Sequence, residues 1–212
     1  MTYLDNVYIT RGESSSDPLL SHIKVTPPLE STDVPELAQI GFFTPSQGSN
    51  KAIDLYYYDG YIYTANPREA KNSVWIIDMS KTGTPLINYA PEVGWYSIQT
   101  SANATTIHAY GNYGFVGYNN SIDIYDISSK TGTRSRIGNP ITIGSSTAKV
   151  KDIVVKNNYI FVAMTDHTSP LVIIDITDVN SPQIVSNLTG TTNTKGNALF
   201  VSENTNRTYI GT

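Results

Sequence analysis

The stretch LVIID at residues 171–175 is an apolar run that ends in an aspartate, and it recurs in phase along the chain. VWIID at residues 74–78 and IDIYD at residues 122–126 match it, so the three aspartates stand about 48 residues apart. Short apolar runs bounded by polar residues are typical of buried strands. Repetition at a fixed period of this length indicates an array of similar supersecondary units.

A second run precedes each of these three and completes a hairpin with it. The sequences are YIYTA at residues 61–65, YGFVG at 113–117 and YIFVA at 159–163. Each follows a turn dipeptide, Asp59-Gly60, Gly111-Asn112 or Asn157-Asn158, whose residues tolerate positive φ and so favour tight turns. A further β-type run precedes each turn, and a fourth follows each aspartate, as at residues 85–89 and 182–186.

The repeated unit therefore contains four short antiparallel strands, and no segment has a convincing helical period with caps. This predicts an all-β protein, and the length of the unit selects a β-propeller of four-stranded antiparallel blades. We expect a single domain over residues 1–212, whose units span 1–50 (partial), 51–102, 103–146, 147–192 and 193–212 (partial).

The two partial units predict how the array ends. The tail supplies a first and a second strand, and the head supplies a third, a fourth and a spare second strand. We expect about four blades, one of them made from both termini. Strand exchange between molecules, or excision from a longer array, would use the same strands.

These segments resemble the LVIVD-repeat family of β-propellers. Residues 171–175, the preceding run at 159–163 and the following Ser181-Pro182 carry the resemblance. Lys24 replaces the repeat aspartate in the first unit, and Arg134 replaces the turn proline in the second full unit. The resemblance implies a propeller, a surface or secreted location, and no shared catalytic residues.

Composition narrows the function classes. Charged residues make up 15% of the chain and the net charge is −4, which argues against a nucleic-acid partner. The absence of cysteine excludes disulfides, thiolate zinc sites and a cysteine nucleophile. No apolar run is long enough to span a bilayer. The three histidines, His22, His108 and His167, have no zinc spacing, so we predict no metal and no cofactor.

One ring of polar residues is a candidate ligand site. The first strand of a propeller blade lines the central channel, so polar residues at its start converge on the axis. By sequence alignment the equivalent residues are Asp54, Thr106, Asp152 and Asn197, with Lys51 and Lys149 just upstream. Such a ring holds an ion or a small ligand, or it is a solvated channel mouth with lysine–aspartate pairs. The repeat aspartates themselves are expected to satisfy backbone N–H groups in the following turn.

Four sequons could carry glycans, at Asn103, Asn119, Asn187 and Asn206. Together with the low charge they favour an extracellular or cell-surface glycoprotein. The sequence thus predicts a non-catalytic binding or assembly module whose partner is a protein, a glycan or a second copy. A metal-dependent hydrolase or lyase at the channel mouth and a self-assembling fibre or lattice are the alternatives.

Overall fold

The structure is a computed structural model, and it is all-β. It describes the following residues: 6–10, 20–26, 36–43, 52–66, 74–79, 87–88, 95–96, 103–130, 134–165, 168–189, 195–205 and 207–212. Strands and turns, and no helices, form these segments. The strands are β1 (Asn6–Thr10), β2 (Leu20–Thr26), β3 (Glu36–Phe43), β4 (Asp54–Tyr58), β5 (Tyr61–Ala65), β6 (Val74–Asp78), β7 (Ile87–Asn88), β8 (Trp95–Tyr96), β9 (Thr106–Tyr110), β10 (Tyr113–Tyr118), β11 (Ser121–Asp126), β12 (Arg136–Thr142), β13 (Val150–Lys156), β14 (Tyr159–Met164), β15 (Leu171–Asp175), β16 (Gln183–Asn187), β17 (Ala198–Val201) and β18 (Thr208–Gly211).

Three of the sheets are antiparallel, have four strands and correspond to the three full repeats. The first repeat sheet is β4-β5-β6-β8, the second is β9-β10-β11-β12 and the third is β13-β14-β15-β16. Their first hairpins close through residues of positive φ: Asp59 (50°) and Gly60 (79°), Gly111 (58°), and Asn157 (50°) and Asn158 (64°). The turns predicted from these dipeptides are therefore confirmed.

The fourth strand of the first repeat sheet lies later in the chain than predicted. Residues 85–89 were expected to pair with β6, but β8 occupies that position. Within residues 85–89, β7 pairs in parallel with β3 instead. An edge strand such as β3 presents unpaired backbone groups that bind any neighbouring extended segment, and β7 uses them.

The termini do not share a sheet among the described residues, so the prediction of a blade made from both ends is wrong. Strands β1, β2, β3 and β7 form the head sheet, whereas β17 and β18 form a two-stranded tail hairpin. The head sheet packs on the first repeat sheet, where the rings of Tyr8 and Tyr57 stack 5.9 Å apart. The tail hairpin is bound instead to the third repeat sheet, through the bond from Leu199 N–H to Asp152.

The apolar core lies between successive sheets. One cluster joins the first and second repeat sheets, a second joins the second and third, and a smaller one joins the head sheet to the first. Ile76 and Ile124 are fully or almost fully buried at equivalent positions in two of these clusters. Ile173, their equivalent in the third repeat sheet, is only partly buried, because the next unit is the two-stranded tail hairpin.

The first strand of each repeat sheet lies beside the first strand of the next sheet. These first strands, together with β17 of the tail hairpin, are called the inner strands. β4 contacts β9, β9 contacts β13, and β13 contacts β17. The small residues Ala65, Gly117, Ala163 and Gly211 lie opposite the starts of these strands. A Cβ on Gly117 would approach Val150 Cγ1 to 2.6 Å, so glycine there permits the close approach of two sheets.

Candidate functional site

A cavity of about 370 Å³ lies where four inner strands meet. Residues 54–56, 107–108, 152–154 and 199–201 line it, which places one short segment from each of β4, β9, β13 and β17 around the same space. The polar positions selected from the sequence therefore lie at or beside this cavity, with the exceptions given below.

Asp54 connects the first and second repeat sheets. Its Oδ2 accepts hydrogen bonds from the Thr106 hydroxyl at 2.7 Å and from the Ile107 backbone N–H at 3.0 Å. Its Oδ1 accepts from the Leu55 N–H at 2.8 Å. Burial raises the pKa of Asp54, although these three bonds favour the ionised form and limit the rise. The carboxylate thus satisfies backbone groups on an inner strand.

Asp152 makes the same connection between the third repeat sheet and the tail hairpin. Its Oδ2 accepts the Leu199 N–H at 2.6 Å. Burial raises the pKa of Asp152, and the nearby charge of Asp54 adds to the rise. Ile107 and Leu199 occupy the same position in their units, so the two aspartates perform the same structural task.

Asn197 is not the equivalent of Asp54. Ala198 lies opposite Gly211, just as Asp54 lies opposite Ala65 and Asp152 lies opposite Ala163. The sequence alignment of the tail was therefore shifted by one residue. Asn197 is exposed, and its backbone N–H donates to Gly211 O.

One of the two lysines, Lys149, lies in the described part of the chain. Lys51 lies outside the described residues. Lys149 is exposed, and its backbone N–H donates to Thr165 Oγ1 at 2.9 Å. The described bonds of Asp54 and Asp152 come from backbone N–H groups and a threonine hydroxyl, where the sequence suggested lysine–aspartate pairs.

Aromatic residues form a second layer of the cavity that sequence analysis missed. Tyr56 and His108 follow Asp54 and Thr106 by two residues on their strands, and the centroids of their rings are 3.8 Å apart. Val154 and Phe200 stand at the same level on the other two inner strands. Side chains two residues apart on a strand face the same way, so the signal was present in the aligned strands.

His108 is buried and joins the second repeat sheet to the third. Its side chain is hydrogen-bonded to the backbone of Ile153. Burial lowers the pKa of His108 to about 4, because the charged imidazolium is poorly solvated there, and the bond to Ile153 opposes this only in part. The imidazole is therefore neutral at physiological pH.

Two of the three repeat aspartates, the last residues of β11 and β15, accept backbone N–H groups of the turn that follows, as the sequence predicted. Asp126 Oδ1 accepts the Ser128 N–H at 2.8 Å, and Asp175 Oδ1 accepts the Thr177 N–H at 2.8 Å. Hydrogen bonds from Ser128 and from Thr177 lower the pKa of Asp126 and of Asp175 respectively. These residues shape the turn after the third strand.

Three of the four sequon asparagines, Asn103, Asn119 and Asn187, are exposed. Asn206 lies outside the described residues, as do His167 and the side chain of His22. Across the described parts of the chain, no group of three or more histidines or carboxylates is arranged to hold a metal. None of the elements described is a helix long and apolar enough to cross a bilayer.

Two segments of the chain, residues 101–133 and 148–190, match the LVIVD repeat. The chain therefore resembles LVIVD-repeat proteins over these residues. The matched segments coincide with most of the second repeat sheet and all strands of the third, and the resemblance stated from the sequence is confirmed.

The chain is also similar to two crystal structures of computationally designed proteins. It matches the Ika8 protein at 10% identity and a TM-score of 0.51, over 89% of this chain and 51% of that one. It matches the Ika4 protein at 9% identity and a TM-score of 0.49, over 79% of this chain and 96% of that one. The chain thus spans about half the length of the Ika8 protein, and the likeness concerns the fold alone. No curated protein sequence matches this chain.

Proposed function

We propose that this chain forms a β-propeller, or part of one, that serves as a non-catalytic binding or assembly module at the cell surface. The arrangement of the inner strands supports the propeller. Consecutive four-stranded sheets follow one another in chain order, and the first strand of each lies against the first strand of the next. Blades of a propeller are arranged around an axis in this way.

The observation that best supports a non-catalytic function is that the carboxylates of Asp54 and Asp152 accept hydrogen bonds from the protein itself. A catalytic carboxylate needs oxygen atoms that can reach a substrate or a metal. Both oxygens of Asp54 accept hydrogen bonds from the protein, as does Oδ2 of Asp152. Tyr56, His108 and Phe200 also line the cavity, which suits binding of a small, partly apolar group.

Metal analysis separates this proposal from a metal-dependent hydrolase or lyase. The purified protein is dialysed against a chelator, and its metal content and thermal unfolding are measured before and after. We expect no stoichiometric metal and a melting temperature unchanged within error. A tightly bound equimolar cation whose removal lowers the melting temperature would overturn the non-catalytic proposal.

The proposed location has its own test. Intact cells of the native host are treated with an impermeant amine-reactive biotin reagent, and the protein is recovered on streptavidin. We expect labelling together with envelope markers, and a mass increase at Asn103, Asn119 or Asn187 if the sequons carry glycans. Recovery with cytosolic markers alone would contradict a surface location.

Self-assembly is a second candidate function, supported by exposed apolar side chains at one end of the array. In β16, Ile184 is 51% and Val185 is 53% exposed, and in the tail hairpin Phe200 is 62% and Tyr209 is 52% exposed. Exposed edges and apolar faces of sheets favour association with further strands. Light scattering of the protein and of an Ile184→Lys variant tests this candidate: oligomers that disappear in the variant support it, and a monomer at high concentration contradicts it.

A further inference from the structure

A lysine of this chain fills a groove between the first and second repeat sheets. Lys130 extends from the turn after β11, and its Nζ lies 5.4 Å from the centroid of the Tyr61 ring in the neighbouring sheet. The ammonium also donates to the backbone carbonyl of Ile127 at 2.8 Å. Burial lowers the pKa of Lys130, and the nearby carboxylates of Asp59 and Asp126 oppose this shift by favouring the charged ammonium. This groove therefore binds an ammonium group by a ring face, a carbonyl and carboxylates.

The same groove recurs between the second and third repeat sheets, without the lysine. Tyr113 pairs with the repeat aspartate of its sheet just as Tyr61 does. Lys130 follows the repeat aspartate of the second sheet by four residues, and the residue in that position of the third sheet is Val179. The valine side chain is three atoms shorter than that of lysine and carries no charge. It therefore does not fill the groove.

The open groove has a volume of about 340 Å³. Tyr110 and Tyr113 line one side of it, and Ile176, Asp178 and Val179 line the other. Ile176 is the equivalent of Ile127. Its backbone carbonyl therefore corresponds to the one that accepts the hydrogen bond of the Lys130 ammonium in the first groove. A space of this size accommodates the side chain of one residue from another molecule.

The two grooves differ in the charges around them. Asp178, which lines it, replaces Ser129 of the preceding unit, and Asp175 occupies the position of Asp126. The buried Arg134, which disfavours a second cation near Lys130, is replaced by Pro182. Gly111 stands where the first groove has Asp59, so each groove has two carboxylates and the open groove lacks the competing guanidinium.

We propose that the groove between Tyr113 and Asp178 binds the ammonium group of a lysine side chain presented by a partner protein. The lysine that occupies the equivalent groove within this chain defines both the chemistry and the length of the occupant. The site is separate from the cavity at the inner strands and does not depend on closure of a propeller ring.

The test follows ring resonances of selectively labelled tyrosine by NMR, with Tyr113→Phe used for assignment. The probes are Nα-acetyl-lysine methylamide, n-butylammonium and the neutral control 1-butanol. We expect saturable shifts of the Tyr113 ring with the lysine probe, at least threefold weaker binding of n-butylammonium and no saturation with 1-butanol. Absence of shifts with both cations overturns the proposal. Equal binding of the two cations overturns the assignment to a protein lysine, because the site would then accept any alkylamine.

Three variants test whether the lysine probe binds in this groove. Asp178→Asn, at an exposed residue, should fold normally and weaken binding of the lysine probe at least fivefold. Val179→Lys should fill the groove from within, abolish probe binding and raise the melting temperature. Lys130→Ala should open the first groove and add saturable shifts at the Tyr61 ring. Unchanged affinity in Asp178→Asn and Val179→Lys would refute the site even if the probe bound elsewhere.

Discussion

Removal of the Asp54 carboxylate tests whether the inner strands are held together by hydrogen bonds from one sheet to the next. In Asp54→Ala, the Ile107 N–H on the open edge of β9 loses the acceptor that lies 3.0 Å away, and the Thr106 hydroxyl and the Leu55 N–H lose theirs. A buried backbone N–H without a partner costs about 1–3 kcal/mol. The hydroxyl can rotate towards another acceptor, and the penalty for burying the carboxylate disappears. The expected net loss is therefore about 2 kcal/mol at neutral pH.

Equilibrium unfolding in urea, followed by tryptophan fluorescence and by far-UV circular dichroism, measures this loss. Asp54→Asn keeps one acceptor oxygen without a charge and should lose about 1 kcal/mol or less. The matched control is Asp126→Ala, which removes an exposed carboxylate that is hydrogen-bonded to the backbone N–H and the side chain of Ser128, and it should lose less than about 1 kcal/mol. If Asp54→Ala is no more destabilising than Asp126→Ala, the bonds between inner strands do not stabilise the array as argued.

Three further predictions rest on burial. In urea unfolding, Ile124→Ala should cost about 3–4 kcal/mol and the equivalent Ile173→Ala about 1–2 kcal/mol, because Ile124 is 2% exposed and Ile173 is only partly buried. Equal costs would show that the outer face of the third repeat sheet is buried as deeply as that of the second. Burial lowers the pKa of His108 to about 4, so its contribution to stability is complete above pH 6.5 and is lost as the pH falls towards 4. In His108→Gln, the free energy of unfolding should therefore change less between pH 7 and pH 5 than in the unmodified protein. The same pH dependence in both proteins would contradict the burial of His108. Gly117→Ala should cost about 1–3 kcal/mol, since the added Cβ would approach Val150 Cγ1 to 2.6 Å; a thermal melt that does not shift would mean that the two sheets separate easily.

The candidate site was only partly predictable. Alignment of the inner strands found Asp54 and Asp152 because the period of the repeat fixes equivalent positions. It misplaced the tail by one residue and chose Asn197, since the turn between β17 and β18 is longer than its equivalents and no local feature fixes the register. It named His108 but did not select it for the cavity, because the comparison considered only the polar residues at the strand starts, although Tyr56 and His108 align two residues further along.

The sequence by itself determined the first three strands of each repeat sheet and the turns that join their first hairpins. These features are local: alternation along a strand and positive φ in Asp59-Gly60 or Asn157-Asn158 need no distant contact. The tertiary structure alone decided which strands meet across long separations. The parallel pairing of β7 with β3 and the bond from Leu199 N–H to Asp152 join segments 46 and 47 residues apart. The separation of the head sheet from the tail hairpin was likewise decided at this level. Such contacts depend on which edges and faces the packed sheets leave unpaired, and no short stretch of sequence contains that information.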